Sequence, residues 1–127
     1  GPVALARWSQ NIKQQIASYP GHSAFYACLR RAAHNGDHSL LFVNCGLDPD
    51  RPVTSQSDSF WWDARGFQRI TAPIGGFHRV VRGSDPERGG WHEGPATLTV
   101  DGGCGLGGEL HAACLTAPGE IADVVTA

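Results

Sequence analysis

The sequence predicts an α/β protein in which an N-terminal helical hairpin is followed by a mostly β region. Apolar residues in the first third recur at steps of three and four, as on one face of a helix, whereas those of the last third alternate or run together, as in strands. With 127 residues, 41% hydrophobic and 17% charged, the chain is expected to form a single folded domain over residues 3–127. Gly1-Pro2 is set aside, because tag removal commonly leaves this pair.

Two apolar stripes predict the helical hairpin. The first stripe ends at Pro20-Gly21, a pair that stops a helix, and consists of Leu5, Trp8, Ile12, Ile16 and Tyr19. The second helix is predicted to begin near Ser23 and to end at Asn35-Gly36, because both residues tolerate the left-handed conformation of a helix end. Its stripe consists of Phe25, Cys28, Leu29 and Ala32.

The β region is predicted to contain strands at 39–44, 78–82, 96–101, 109–116 and 120–126. The first is an apolar run and is expected to be buried on both faces. The last two flank Ala117-Pro118-Gly119, which predicts a hairpin turn. A loop at 46–57 precedes a short helical turn after Asp58, whose aromatic cluster is expected to pack in the core and consists of Phe60, Trp61, Trp62 and Phe67.

Composition excludes several classes of function. The net charge of −2 gives no basic footprint for nucleic acid. The longest apolar run has six residues, 24–29, whereas a membrane-spanning helix needs about 20, so no membrane partner is expected. None of the four cysteines has C-x-x-C spacing, and they are Cys28, Cys45, Cys104 and Cys114. They are therefore expected to be free thiols, which favours a cytoplasmic location.

Two motifs that suggest ligand sites are better explained as ordinary structure. Residues 103–108 match G-x-G-x-x-G, but a strand pattern follows instead of the helix that a dinucleotide site needs, so a backbone turn is predicted. His34 and His38 are four residues apart, yet Asn35-Gly36 breaks the helix that would align them. We therefore interpret these histidines as surface or hydrogen-bonded residues rather than as metal ligands.

Three segments, taken in order, carry a resemblance to a known family. They read L-F-V-N-C-G-L-D-P at 41–49, V-V-R-G-S-D-P at 80–86 and T-L-T-V-D-G-G-C-G-L-G-G-E-L at 97–110. They resemble L-F-V-H-A-G-x-x-P, V-x-x-G-H-x-x and I-D-T/G-G-x-x-x-G-G-x-L in the C-terminal half of calcineurin-like metallophosphoesterases, the bacterial Ser/Thr protein phosphatase branch. The resemblance covers the chain from about residue 20 onward and implies half of an αββα sandwich.

In that family two metal ions polarise the phosphate and generate a hydroxide nucleophile. Most of their ligands come from N-terminal motifs, G-D-x-H-G, G-D-x-x-D-R-G and G-N-H-E, which this chain lacks. The C-terminal half normally adds two histidines, and Asn44 and Ser84 occupy those positions here. Neither replaces an imidazole well, so we expect no catalytic residue, no metal ligand and no cofactor in this chain alone. Manganese or another divalent pair is expected only if an N-terminal half restores the site.

Two neighbouring side chains are of further interest. Arg82 is the candidate anion-binding residue, because a guanidinium fork matches a phosphate. The alternative for Arg82 is a surface ion pair with Asp85 or Glu87. Cys45 is expected to be a buried, unreactive thiol at a strand end, because no cationic residue near it in sequence would lower its pKa.

These observations predict a C-terminal fragment or degenerate module of a phosphatase-like protein that acts as a scaffold or interaction domain. An alternative is that the chain contributes half of an active phosphoesterase site that a missing N-terminal half or a partner chain completes. A stand-alone binding module is a third hypothesis. Because half a sandwich would leave its inner face, with Phe42 and Val81, in water, we expect self-association or a covering partner.

Overall fold

The computed structural model describes all 127 residues, which form two compact units, Gly1–Arg30 and Arg31–Ala127. The first unit contains helices α1 (Pro2–Ser18) and α2 (His22–Cys28), and neither helix has a buried side chain. The predicted end of α1 before Pro20-Gly21 is confirmed. Neither α1 nor any other helix combines the length and apolar character needed to cross a membrane.

The predicted end of α2 is wrong. The helix stops at Cys28, and strand β1 (Ala32–His34) pairs antiparallel with strand β2 (Leu40–Val43). Asn35-Gly36 belongs to the turn between these strands, where the Asn35 side-chain oxygen accepts a hydrogen bond of 2.9 Å from the Leu40 amide. A residue pair that suits a helix end suits a hairpin turn equally well, and pairing with β2 decides between them.

The second unit is built on a five-stranded sheet in the order β1-β2-β3-β5-β4. Its centre is parallel and consists of β2, β3 (Arg79–Arg82) and β5 (Thr97–Thr99), each of which lies in a segment predicted to be a strand. The edge strands β1 and β4 (His92–Glu93) run antiparallel to their neighbours. Sequence analysis missed both edge strands, because two or three residues are too few to show a period.

The main core lies on one face of this sheet. Leu41, Val43 and Val80 meet Phe60 and Phe67, which come from helical turns α3 (Ser59–Trp62) and α4 (Ala64–Gln68). The helical turn after Asp58 and the burial of the two phenylalanines are thereby confirmed. Core packing is wrong for Trp62, whose side chain is 78% exposed, because a four-residue helix has only one side to bury.

A hairpin covers the opposite face. It consists of β6 (His111–Leu115) and β7 (Ile121–Thr126), as predicted. The Ser39 hydroxyl donates a hydrogen bond to the Ala117 carbonyl in the hairpin turn. In the same turn, a Cβ atom at Gly119 would lie 2.8 Å from Leu40 Cδ2, so the turn packs closely on β2.

This hairpin corrects two expectations about the inner face. Val81 was expected to be open to water, but it is only 6% exposed. Phe42, which pairs with Val81 in the sheet, is 37% exposed, so β2 is not buried along both faces. The inner face is therefore buried at Val81 and partly exposed at Phe42.

The glycine-rich segment after β5 is a turn, as predicted. It contains a short 3-10 turn (Cys104–Leu106) between Gly103 and Gly107, whose φ angles are +74° and +89°. Residues with side chains rarely adopt these angles, which explains the glycines without a nucleotide.

Candidate functional site

The candidate site lies where the parallel strands end, because ligands of α/β sheets bind outside the carboxyl ends of their strands. Asn44 follows β2 directly, and Ser84 and Asp101 come two residues after β3 and β5. The Ser84 amide donates a hydrogen bond of 2.8 Å to the Asn44 carbonyl, and the Asp85 amide donates one of 2.7 Å to Asp101 Oδ2. The structure therefore places Asn44 and Ser84, at the positions where the resemblance implies histidines, side by side.

The side chains of Asn44 and Ser84 differ in whether they are already hydrogen-bonded within the chain. Asn44 is held by its side-chain amide, which donates a hydrogen bond of 3.1 Å to the Trp61 carbonyl. Ser84 lines a cavity of about 360 Å³ together with Arg88, Asp101 and Leu106. The Asn44 amide is thus tied to α3, whereas the Ser84 side chain is available to an incoming group.

Arg82 forms a buried ion pair instead of the surface pair considered from sequence. Its Nη2 atom is 3.1 Å from Asp85 Oδ1, and the two side chains are 6% and 5% exposed. Nε donates a hydrogen bond of 2.8 Å to Thr99 Oγ1, and the guanidinium carbon lies 4.3 Å from the centre of the Phe67 ring. Only Nη1 has no hydrogen-bond partner, and it is buried. Most of the donor capacity of Arg82 is therefore used within the chain.

Asp85 and Asp101 organise the two loops at this edge. The Asp85 carboxylate accepts hydrogen bonds from the Glu87 and Gly89 amides at 3.1 and 2.9 Å. Asp101 accepts bonds from the Asp85 and Gly103 amides, and these bonds lower the pKa of Asp101 below its ordinary value, with a smaller contribution from Arg82. Both carboxylates thus accept hydrogen bonds from backbone amides and stabilise the loops, a role that the sequence pattern did not predict.

Cys45 is buried, as predicted. Its side chain lies at the end of β2, and its amide donates a hydrogen bond of 2.9 Å to the Phe60 carbonyl. Burial is the main cause that raises the pKa of the Cys45 thiol, and nearby Arg82 opposes it only in part. A thiol with a raised pKa is a poor nucleophile. All four cysteines are free.

The donor set at this edge does not fit the metal pair that the resemblance implies. Asn44 and Ser84 offer an amide oxygen and a hydroxyl, which bind transition metals more weakly than imidazole. The carboxylates of Asp85 and Asp101 already accept hydrogen bonds from backbone amides. Moving either carboxylate to a metal would leave those amides without partners, at about 1–3 kcal/mol each.

His34 and His38, which the sequence pattern did not predict to be in contact, lie together in the structure. The rings of His34 and His38 stack with their centres 3.9 Å apart, beside a cavity of about 370 Å³. His38 lies in the turn between β1 and β2 and has a φ of +59°. The two rings therefore meet at a turn, without the helix that their spacing of four residues would need.

No protein-family model, no curated protein and no solved structure matches this chain. The metallophosphoesterase resemblance therefore rests on the segments at 41–49, 80–86 and 97–110 alone. Function has to be argued from the groups at the carboxyl edge.

Proposed function

We propose that this chain is a C-terminal module of metallophosphoesterase ancestry that acts as a scaffold or interaction domain and does not hydrolyse phosphoesters by itself. The observation that carries the proposal is the state of the two carboxylates at the carboxyl edge. Asp85 is paired with buried Arg82, and Asp101 accepts hydrogen bonds from two backbone amides. Both side chains line the cavity of about 360 Å³, but their hydrogen bonds and the ion pair use them to hold the loops in place.

The same geometry argues against a general base or nucleophile at this edge. An effective base has a pKa near the working pH, whereas the hydrogen bonds to Asp101 lower its pKa. The Cys45 thiol is buried and its pKa is raised. Ser84 is the remaining candidate nucleophile, and a serine needs an adjacent base to be activated.

The interaction role is supported by the sheet face that carries Phe42. This side chain is 37% exposed and lines an open, largely apolar cavity of about 510 Å³ between β2 and the hairpin. An apolar side chain exposed beside an apolar cavity offers contact area to another polypeptide. The proposed occupant is a second copy of the chain, a missing N-terminal half or a partner protein. Nucleic acid is not proposed, because the net charge is −2.

The alternative is that the chain contributes half of an active phosphoesterase site. The cavity of about 360 Å³ favours this alternative, because Ser84 and the cation Arg88 line it at the carboxyl edge. An N-terminal half or a partner chain would then supply the metal ligands. A G-D-x-H-G motif encoded upstream in the same reading frame, with metal-dependent turnover by the longer protein, would favour the alternative.

The test is the metal content of the purified chain and its turnover of p-nitrophenyl phosphate after addition of manganese. We expect no retained metal and no turnover above the rate with manganese alone. The variants Ser84→Ala and Asn44→Ala and an exposed-site control, Asp50→Ala, distinguish a real site from a contaminant. Turnover that a chelator abolishes, that Ser84→Ala reduces and that Asp50→Ala leaves unchanged would overturn the proposal. It would imply that other residues, such as His78 or His92 of a second copy, rebuild the site.

A further inference from the structure

Strand β6 pairs only with β7 in the sheet, so its other edge is unpaired over residues 111–115. Just before the strand, the Glu109 amide donates a hydrogen bond of 3.0 Å to the Gly102 carbonyl. Leu110 and Ala127 exchange two backbone hydrogen bonds, and the Thr116 amide donates to the Glu120 carbonyl. The even-numbered residues of this segment therefore direct their main-chain groups toward β7. By the alternation of an antiparallel pair, the odd-numbered residues, His111, Ala113 and Leu115, direct theirs toward the open edge.

This edge lacks the proline and the charged side chains with which proteins often protect an exposed strand. Residues 111–115 contain no proline and no Asp, Glu, Lys or Arg. The irregularity in the hairpin adds a residue to β7, where Ala122 has no partner, so β6 keeps a regular alternation. Two alanines leave room for a neighbouring backbone to approach. An edge of this composition is open to strand addition.

The side chains of the same residues connect the open edge with the exposed sheet face. Alternate residues of β6 are half-buried, which places Ala113 and Leu115 on the inward side of the hairpin. Both line the cavity of about 510 Å³, together with Phe42. A strand added to β6 would place its own inward side chains on the side where Phe42 is exposed.

We propose that a second copy of this chain occupies the open edge of β6 and forms an antiparallel, continuous four-stranded sheet across a two-fold axis at Ala113. The proposal builds on the interaction role proposed above and names the partner. Ala113 pairs with Ala113 of the second copy, and His111 pairs with its Leu115 on either side. Each pair then exchanges two N–H···O bonds, because every residue involved has outward main-chain groups.

The strand is self-complementary in the way that a two-fold interface requires. With the two-fold axis at Ala113, each residue of β6 whose main-chain groups point to the open edge lies opposite another such residue of the second copy. No charged side chains face each other across the axis, and the smallest side chains lie at its centre. The Leu115 side chain of the second copy lies on the same face of the four-stranded sheet as Ala113. There it adds apolar surface next to the cavity that Phe42 lines.

A disulfide trap tests this register. In the proposed dimer Ala112 lies opposite Cys114 of the second copy as a non-hydrogen-bonded pair, with Cα atoms about 4.5 Å apart, within the range of a disulfide. We start from Cys28→Ser/Cys104→Ser, which leaves Cys114 as the exposed cysteine. Adding Ala112→Cys is expected to give at least a tenfold increase in covalent dimer under mild oxidation, with 112–114 linkages in the peptide map.

Two matched controls keep the trap specific. Val125→Cys in the same background places an exposed cysteine on β7, next to Ala112 but away from the open edge. Ala112→Cys with Cys114→Ser in this background leaves one exposed thiol in each copy, at position 112. In the proposed register these two thiols do not face each other. Both control variants are expected to give only the background amount of dimer. Equal crosslinking of all three variants would overturn the proposal.

A blocking variant provides a second measurement. Ala113→Pro removes an N–H group on the open edge and none of the bonds between β6 and β7. We expect the wild-type chain to form dimers by light scattering at high concentration, and the variant to stay monomeric with an unchanged circular dichroism spectrum. A folded wild-type chain that is strictly monomeric and is not trapped, or a trapped dimer that Ala113→Pro leaves unchanged, would overturn the dimer. Neither readout depends on phosphoester turnover, so the two proposals fail separately.

Discussion

The Arg82 guanidinium lies 3.1 Å from the Asp85 carboxylate, and both side chains are almost completely buried. The pair joins β3 to the loop that follows it, because Asp85 also accepts hydrogen bonds from the Glu87 and Gly89 amides. A buried charge without its partner is strongly unfavourable, whereas an exposed pair contributes little. The stability of the carboxyl edge therefore depends on this pair.

Asp85→Asn is expected to lower the free energy of unfolding by about 3–5 kcal/mol, because it leaves the Arg82 charge buried and uncompensated. The control is Asp50→Asn, which removes the exposed ion pair between Asp50 and Arg69 and is expected to cost at most about 1 kcal/mol. Urea unfolding followed by circular dichroism measures both. Equal losses for the two variants would contradict the assignment of Asp85 to a buried pair.

Asp101 is expected to make stability depend on pH in the acid range. Its pKa is lower in the folded chain than in the unfolded chain, because the Asp85 and Gly103 amides donate to its carboxylate. The stabilisation is thus fully present above the unfolded pKa of about 3.9 and is lost as the pH falls through the lower folded value.

Asp101→Asn should therefore be less stable than wild type at pH 7 and should approach wild type as the pH drops below about 4. Unfolding free energies measured by urea titration between pH 2 and pH 7 check this convergence. A difference between the two proteins that does not change with pH would show that the carboxylate charge contributes nothing. Asp123→Asn, at an exposed position in β7, controls for the general effect of acid.

The sequence predicts the elements with clear local patterns and misses those that depend on distant partners. Helix α1, the parallel strands and the β6–β7 hairpin each have a period or a turn signal of their own. Strand β1 has neither, since Ala32, Ala33 and His34 become a strand only by pairing with β2. The second helix was therefore predicted to continue to Asn35-Gly36, although it ends at Cys28.

The candidate site was predictable in its position but not in its electrostatics. The resemblance implies that residues 44 and 84 lie at one site, and the structure places Asn44 and Ser84 side by side. By contrast, a spacing of three residues between Arg82 and Asp85 is equally compatible with a surface pair. Burial by Phe67, which is distant in sequence, makes the pair an internal one.

Gly46 is expected to tolerate no side chain. A Cβ atom there would lie 2.9 Å from Phe67 Cβ and closer still to the Asp63 carbonyl. Because backbone cannot move aside as a flexible side chain can, Gly46→Ala should lower the free energy of unfolding by about 1–3 kcal/mol. Gly36→Ala is the matched control, since a Cβ atom at Gly36 meets nothing within 4 Å. It should change stability by at most about 0.5 kcal/mol, and a similar loss in both would contradict the close packing of Gly46 against Asp63 and Phe67.

Placing imidazoles at positions 44 and 84 should raise the zinc affinity of the carboxyl edge. Asn44 and Ser84 lie side by side, joined by a backbone hydrogen bond of 2.8 Å, so two histidines at these positions project from neighbouring strand ends. Because imidazole is a much better ligand for zinc than an amide oxygen or a hydroxyl, Asn44→His/Ser84→His should bind Zn²⁺ at least about tenfold more tightly than wild type, or ~1.4 kcal/mol.

Isothermal titration calorimetry at pH 7 measures this gain. The control is His34→Ala/His38→Ala, which removes the stacked pair beside the other cavity and should leave the gained affinity unchanged when added to the double variant. Each single histidine variant should gain less than half of the binding free energy, because one imidazole cannot chelate. Equal zinc affinity in wild type and double variant would mean that the two positions do not converge on one ion, and the family resemblance at this edge would lose its structural support.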